Sequence, residues 1–278
     1  MNSCRKAIAI VAILVVLISV VSLGTLFVFF QSNTVQGTSA ALLHTQDDAS
    51  AQVDAQYGGE IRYEKSIKTK KLLSSPNVSQ NTVNNYYNYR WDQRKTAEVT
   101  GTCSEVATLM LVKSYGFGST YTNNNAFCVI MDIAVANEYW SPSYDAEGNL
   151  NGGGTNVTKI DSLATKSFTR FLSKKKGNND VVNIYNTLKS EINESKTAIL
   201  SCENHSMLAV GYLTYKVTYK RYILGFIETW YEKAIDYVIV NDGWFDAGRD
   251  IDSEQYSYYP VASINSNFRL TKVTGYDS

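Results

Sequence analysis

At Thr197 the chain changes period, and that change limits its fold more than any other feature. Before it, apolar residues recur at helical spacing. After it they come in short runs, with turn residues between them. Four stretches read as helices: one opened by Cys103 and closed by Gly116, then Asn124–Trp140, Val157–Leu172 and Asp180–Glu194. The second carries Phe127, Ile130, Met131, Ala134 and Val135 on one face. Beyond Thr197, Ala198–Ser201, Ser206–Tyr215, Tyr219–Phe226, Tyr237–Val240 and Phe268–Val273 read as strands of an antiparallel sheet. Helices first and sheet second make an α+β fold. Between the elements, Ser141–Thr155 reads as a solvated Gly/Asn loop long enough to line a cleft. Asp145, Glu147, Asn149 and Asn151 in it faintly resemble a calcium loop, but the glycines and the closing Glu are wrong for an EF-hand. The run Lys174-Lys-Lys-Gly-Asn-Asn179 reads as a solvated helix end, favourable to the C-terminal dipole.

The N-terminal part is of another kind. Ala7 to Phe30 is almost entirely apolar, with Arg5 and Lys6 before it and a polar run after it. At about 1.5 Å per residue it is long enough for a hydrocarbon core of about 30 Å. The flanking charges keep the N-terminus cytoplasmic and send the rest across. Residues 1–30 are therefore expected to be a signal anchor, a single transmembrane helix. A cleaved signal, with Ser39-Ala40-Ala41 as its site, is the alternative. Residues 31–84 are rich in Gln, Ser, Asn, Thr, Asp and Ala and read as a stalk or pro-segment. Residues 85–278 read as the folded domain.

The formal net charge is zero, which argues against a nucleic-acid partner. No CxxC or Cys/His cluster points to zinc, and no motif points to a nucleotide or organic cofactor. Outside the membrane Cys103, Cys128 and Cys202 meet an oxidising environment. Three is odd, so a Cys128–Cys202 bridge would leave Cys103 free, whereas a Cys103–Cys202 bridge would make both structural.

The chemistry-bearing stretch is Thr102-Cys103-Ser104-Glu105. Its spacing is that of a capping box, with Thr102 as N-cap and Cys103 as first helical residue. A thiol there sits among unpaired N–H groups at the positive end of the helix dipole, and both favour thiolate. The Cys103 amide is placed to donate to an oxyanion. The chain has two histidines. His44 follows the apolar segment, and His205 lies where a strand, turn and strand are expected. His205 is thus the one imidazole in the folded region that can serve Cys103 as a base; otherwise it is a satisfied histidine at a strand start. A third stretch, Tyr237-Val-Ile-Val-Asn241-Asp242-Gly243-Trp244, is a buried strand with a polar end, where Asn241 or Asp242 would orient the imidazole.

These three segments, in this order, resemble a papain-like cysteine peptidase, and within that family the bacterial streptopain-like and bacteriocin-processing branches. The resemblance covers roughly residues 85–275. It implies a helical lobe opened by the nucleophile Cys103, and a sheet bearing His205 and a third residue. The third residue is Asn241 by the pattern of papain-like enzymes proper and Asp242 by that of bacteriocin-processing domains. A glutamine about six residues before the cysteine is usual in the family, and Ala97 stands there instead. Gln93 is the nearest glutamine, either the oxyanion side chain or a surface residue beside Trp91.

The expected activity is a thiol-dependent hydrolysis of a peptide or protein substrate. The catalytic domain lies outside the cell membrane, anchored or secreted, with an inhibitory pro-segment as a possible attached partner. Two other readings remain open. One is a peptidoglycan amidase or transglutaminase-type acyl transferase, since fold does not fix substrate. The other is a catalytically silent binding or adhesion domain on the same fold.

Overall fold

The structure is a computed structural model. It describes residues 42–80, 82–84, 101–144, 146–148, 150–171, 176–180, 183–202, 205–223, 225–243 and 256–274. The apolar stretch Ala7–Phe30 lies outside these residues, and so do Trp91, Gln93 and Ala97. Among the described residues no helix is long and apolar enough to cross a membrane.

The sheet is organised around one long strand. β6 (His205–Ile223) runs antiparallel to β7 (Ile227–Asn241) along nearly its whole length. The other side of β6 is divided between two partners. β5 (Ala198–Cys202) pairs with its first residues, from Cys202↔His205 to Ala198↔Ala209. β1 (Arg62–Leu72) pairs with the remainder, from Leu72↔Gly211 to Arg62↔Lys220. β4 (Lys176–Asp180), β8 (Ser257–Pro260) and β9 (Arg269–Thr274) complete a seven-stranded sheet of order β4-β9-β5-β6-β7-β8, with β1 off this path on β6. All its pairings are antiparallel. A separate hairpin joins β2 (Trp140–Tyr144) and β3 (Leu150–Thr155).

Helices cover both faces of the sheet. On one, α1 (Gln46–Tyr57), α2 (Cys103–Ser114), α3 (Asn123–Ala136) and α4 (Ile160–Arg170) pack on Leu208, Val210, Leu213, Tyr215, Tyr237 and Ile239. On the other, α5 (Ile184–Asn193) packs Ile184, Leu188 and Ile192 on Leu200, Met207, Ala209, Val238 and Val240. α2 is buried at every position from Ser104 to Val112. A helix apolar nearly all round belongs in an interior, and its central place sets Cys103 at the sheet. The architecture is α+β, as its element order implied.

Several boundaries differ from those expected. The segment 31–84, read as a stalk or pro-segment, is folded into the domain from Leu42 onward. α1 opens on a capping box in which Thr45 and Asp48 exchange side-chain-to-backbone bonds, both at 3.0 Å. Its Ala49, Val53 and Tyr57 recur at four-residue spacing and are buried. The Tyr237 hydroxyl donates to the Ala49 carbonyl at 3.2 Å and to Gln52 Oε1 at 2.8 Å. β1 takes up Ile67–Leu72 as an edge strand, whose lysines suit an exposed edge. Of the run expected to end a helix, residues 176–179 instead lie in β4, paired with β9. The loop expected at 141–155 is the β2–β3 hairpin.

Candidate functional site

Thr102 is the N-cap and Cys103 opens α2, but the capping box between Thr102 and Glu105 is not made. Thr102 Oγ1 donates instead to Asn84 Oδ1 at 2.5 Å, tying the helix start to the segment before it. The first intrahelical bond runs from the Val106 amide to the Thr102 carbonyl at 3.0 Å. The amides of the first turn are therefore free of helical partners.

Two buried serines dock this turn on the sheet. Ser104 Oγ and Ser206 Oγ lie 3.0 Å apart, and Ser206 Oγ donates to Ser201 Oγ at 3.0 Å. Ser206 directly follows His205, so the contact brings Cys103 to the strand start that carries the imidazole. The Cys103 thiol is hydrogen-bonded by the main chain of Ser206 and by Ser104. Burial nevertheless pushes it above its ordinary value of 9.0; the Ser206 bond works against that and the Glu105 charge adds to it. The dipole at the helix start was expected to favour thiolate, but desolvation of a charged sulfur outweighs it here. His205 moves the opposite way. Burial lowers it from 6.5, against the Asp242 charge. Both shifts favour the neutral forms, thiol at Cys103 and imidazole at His205.

Strand alternation separates the two candidates for third residue. On β7, Val238 and Val240 face α5, while Tyr237 and Ile239 face α2. Met207, two residues after His205, also faces the α5 side. Asp242 shares that parity, and its carboxylate acts on His205. It is 8% exposed and accepts from Ser257 Oγ at 3.2 Å. Asn241, fully buried, takes the other direction. Its Nδ2 donates to Ser75 Oγ at 2.8 Å and to the Pro76 carbonyl at 3.2 Å, and its Oδ1 accepts from the Gly243 amide at 3.0 Å. It clasps segment 73–80 across the sheet end. The Leu73 amide donates to Val210 and the Gln80 amide to Gly243, both at 2.9 Å. That segment leads toward Asn84 and so to Thr102.

Glu105 is the residue whose place its sequence neighbourhood least reveals. Its side chain is fully buried. Thr155 Oγ1, at the end of β3, donates to its Oε1, and its Oε2 has no hydrogen-bond partner. Burial lifts its carboxyl from 4.5 to about 7. β3 is also drawn close upstream of the helix. Gly101 has φ +70°, and a Cβ on it would run into the Gly153 carbonyl. The Trp140 ring lies where a Cβ of Gly153 would stand. Glycine is needed at both positions for this approach.

No disulfide joins Cys103, Cys128 and Cys202 to one another. Cys128 is buried in α3, and Cys202 donates to the His205 carbonyl at 3.4 Å from the far side of the hairpin. The Gln93 candidate for the oxyanion lies outside the described residues. Among the described residues no group of three or more His, Cys, Asp or Glu is arranged to hold a metal ion. No family model matches the chain, and no curated protein or solved structure matches it.

Proposed function

We propose that this chain is a thiol-dependent hydrolase of the papain-like kind, with Cys103 as nucleophile, His205 as base and Asp242 as the residue that orients the imidazole. One observation carries the reading: the first residue of a buried helix is a cysteine whose sulfur lies on the main chain of Ser206, next to a histidine that feels a buried aspartate. A neutral thiol beside a neutral imidazole reacts by general-base catalysis. His205 takes the Cys103 proton as sulfur attacks the acyl carbon. The imidazolium, held by Asp242, then protonates the leaving amine as the C–N bond breaks. Water, deprotonated by His205, clears the thioester, and the thiol recovers its proton. The amides of the first turn of α2 supply oxyanion donors. The substrate class proposed is a peptide or protein. The domain is proposed to work outside a membrane to which Ala7–Phe30 tethers it, on the strength of Arg5 and Lys6 on one side of that segment only.

A second reading, a catalytically silent binding domain, is favoured by one specific observation, the upward shift of the Cys103 thiol. Incubation of the full chain with a mixed peptide library and with peptidoglycan, read by mass spectrometry against Cys103→Ala, separates the readings. Peptide cleavage lost in Cys103→Ala supports the peptidase. Cleavage of peptidoglycan alone transfers the triad to an amidase. Absence of both leaves the binding domain.

A further inference from the structure

We propose that Glu105 is a positioning residue for Cys103 that pins the β2–β3 hairpin to the start of α2 and, in its neutral form, keeps charge away from the thiol two residues upstream. The inference rests on Cys103 being the reactive thiol.

The geometry is that of an acid and not of a carboxylate. Glu105 is wholly buried, with a single side-chain hydrogen bond from Thr155 to one oxygen and none to the other. A buried carboxylate is stable when several donors or a cation surround it. Around Glu105 the donors are the Thr155 hydroxyl and its own amide, and no cation pairs with it among the described residues. The neutral form leaves one buried hydroxyl unpaired, a far smaller penalty than a bare buried charge. On its own helix the titratable groups are Cys103 and Lys113, and Lys113 lies at the far end, where its Nζ donates to the Tyr121 carbonyl. β3 carries no titratable residue. β6 brings His205, and β5 brings Cys202. On α3, Asp132 is exposed and Cys128 is buried; on α4, Lys166 and Arg170 are exposed and Asp161 is half-buried. The group that registers the Glu105 charge is Cys103, whose thiol it pushes up.

Two effects converge on the nucleophile. The Thr155–Glu105 bond and the Gly101–Gly153 approach hold the hairpin against the residues on either side of Cys103. Ionisation of Glu105 would set a like charge beside a developing thiolate and oppose its formation. Glu105→Gln keeps the hydrogen-bond acceptor and removes the charge.

The test is the rate of Cys103 alkylation by iodoacetamide in the full-length chain, resolved by mass spectrometry of the Cys103 peptide, between about pH 6 and pH 9. Wild type and Glu105→Gln should react at the same rate near pH 6, where Glu105 is neutral in both. Above about pH 7 the variant should react faster, by about tenfold at pH 8 if the charge is worth one pKa unit on the thiol. Loosening of the hairpin alone would accelerate the reaction by a constant factor at every pH. That result, or superimposed profiles, overturns the proposal. Should Glu105→Gln fail to fold, Thr155→Val is the second variant. Removing the donor keeps Glu105 neutral to higher pH, so Cys103 should again react faster than wild type at pH 8 and equally at pH 6. A wild-type rate at pH 8 in that variant overturns the proposal. His205→Ala, run in parallel, separates this from the catalytic reading. Indifference of Cys103 to His205 counts against the hydrolase, and the pH-dependent ratio at Glu105 stands or falls on its own.

Discussion

Glu105→Gln should change how stability depends on pH, and the size follows from the burial of one carboxyl. The side chain is fully buried, and its carboxyl is raised from an ordinary value of 4.5 to about 7. Between those values the folded chain holds a proton that the unfolded chain has released. Wild-type stability therefore falls as pH rises from 4.5 to about 7, and the loss is complete above the folded value. From about pH 5 to pH 8 roughly two pKa units of that interval are crossed, at about 1.4 kcal/mol each. The expected loss is roughly 3 kcal/mol, a substantial share of the 5–15 kcal/mol typical of a domain. The amide of the variant has no proton to lose and escapes this penalty. Urea unfolding of both proteins at about pH 5 and pH 8 isolates the effect, because every other titrating group is common to the two. The difference in stability, variant minus wild type, should grow by roughly 3 kcal/mol over that interval. A growth below about 1 kcal/mol would refute the argument that Glu105 is dry and uncompensated.

Other outcomes follow from the same geometry. Asp242→Asn should leave stability near wild type and lower thioester turnover by at least about a hundredfold, since it disturbs the imidazole and not the fold; Asn241→Ala should instead cost about 2–3 kcal/mol on urea unfolding by releasing segment 73–80. Tyr237→Phe should cost about 1 kcal/mol by the same measurement, through the lost bonds to Ala49 and Gln52 that hold α1. Because burial lowers His205 from 6.5 and lifts Cys103 from 9.0, the imidazole stays neutral below its ordinary value. The acidic limb of turnover should therefore lie below pH 6.5, and alkylation of Cys103 should rise with pH without the low-pH plateau of a preformed ion pair.

The central path of the fold was legible where burial imposed a pattern. Cys103 at the start of a helix, and the strands beginning near His205 and ending at Asn241, are all written in local periodicity. α1 and β1 were not. α1 is polar on most of its surface and shows only Ala49, Val53 and Tyr57 to the core, while β1 alternates charges along an edge. Such segments are specified by the sheet they join, through pairs such as Arg62↔Lys220 that no local window contains. β6 and β7 continue as one ribbon to a turn after Ile223, so Tyr237–Val240 of β7 was expected and residues 227–236 were not. At the site, Asn241 and Asp242 differ in strand face, and that difference shows only once Val238 and Val240 are seen to face α5. Glu105 carries the opposite lesson. Its spacing from Thr102 reads as a cap, yet its partner is Thr155, fifty residues on. The capping box that does form, Thr45 with Asp48, lies in the segment read as a stalk.

The central claim is that Cys103, with His205 behind it, forms and clears a thioester. Its most direct test is intact-mass detection of acyl transfer from p-nitrophenyl acetate to the full-length chain, with the labelled residue located by peptide mapping. The account predicts transient acetylation of Cys103 in the wild type, none at that position in Cys103→Ala, and slow, persistent acetylation in His205→Ala because the base for both steps is gone. Acetylation of Cys103 that forms and decays at the same rates with and without His205, or no acetylation of Cys103 at all, would contradict it.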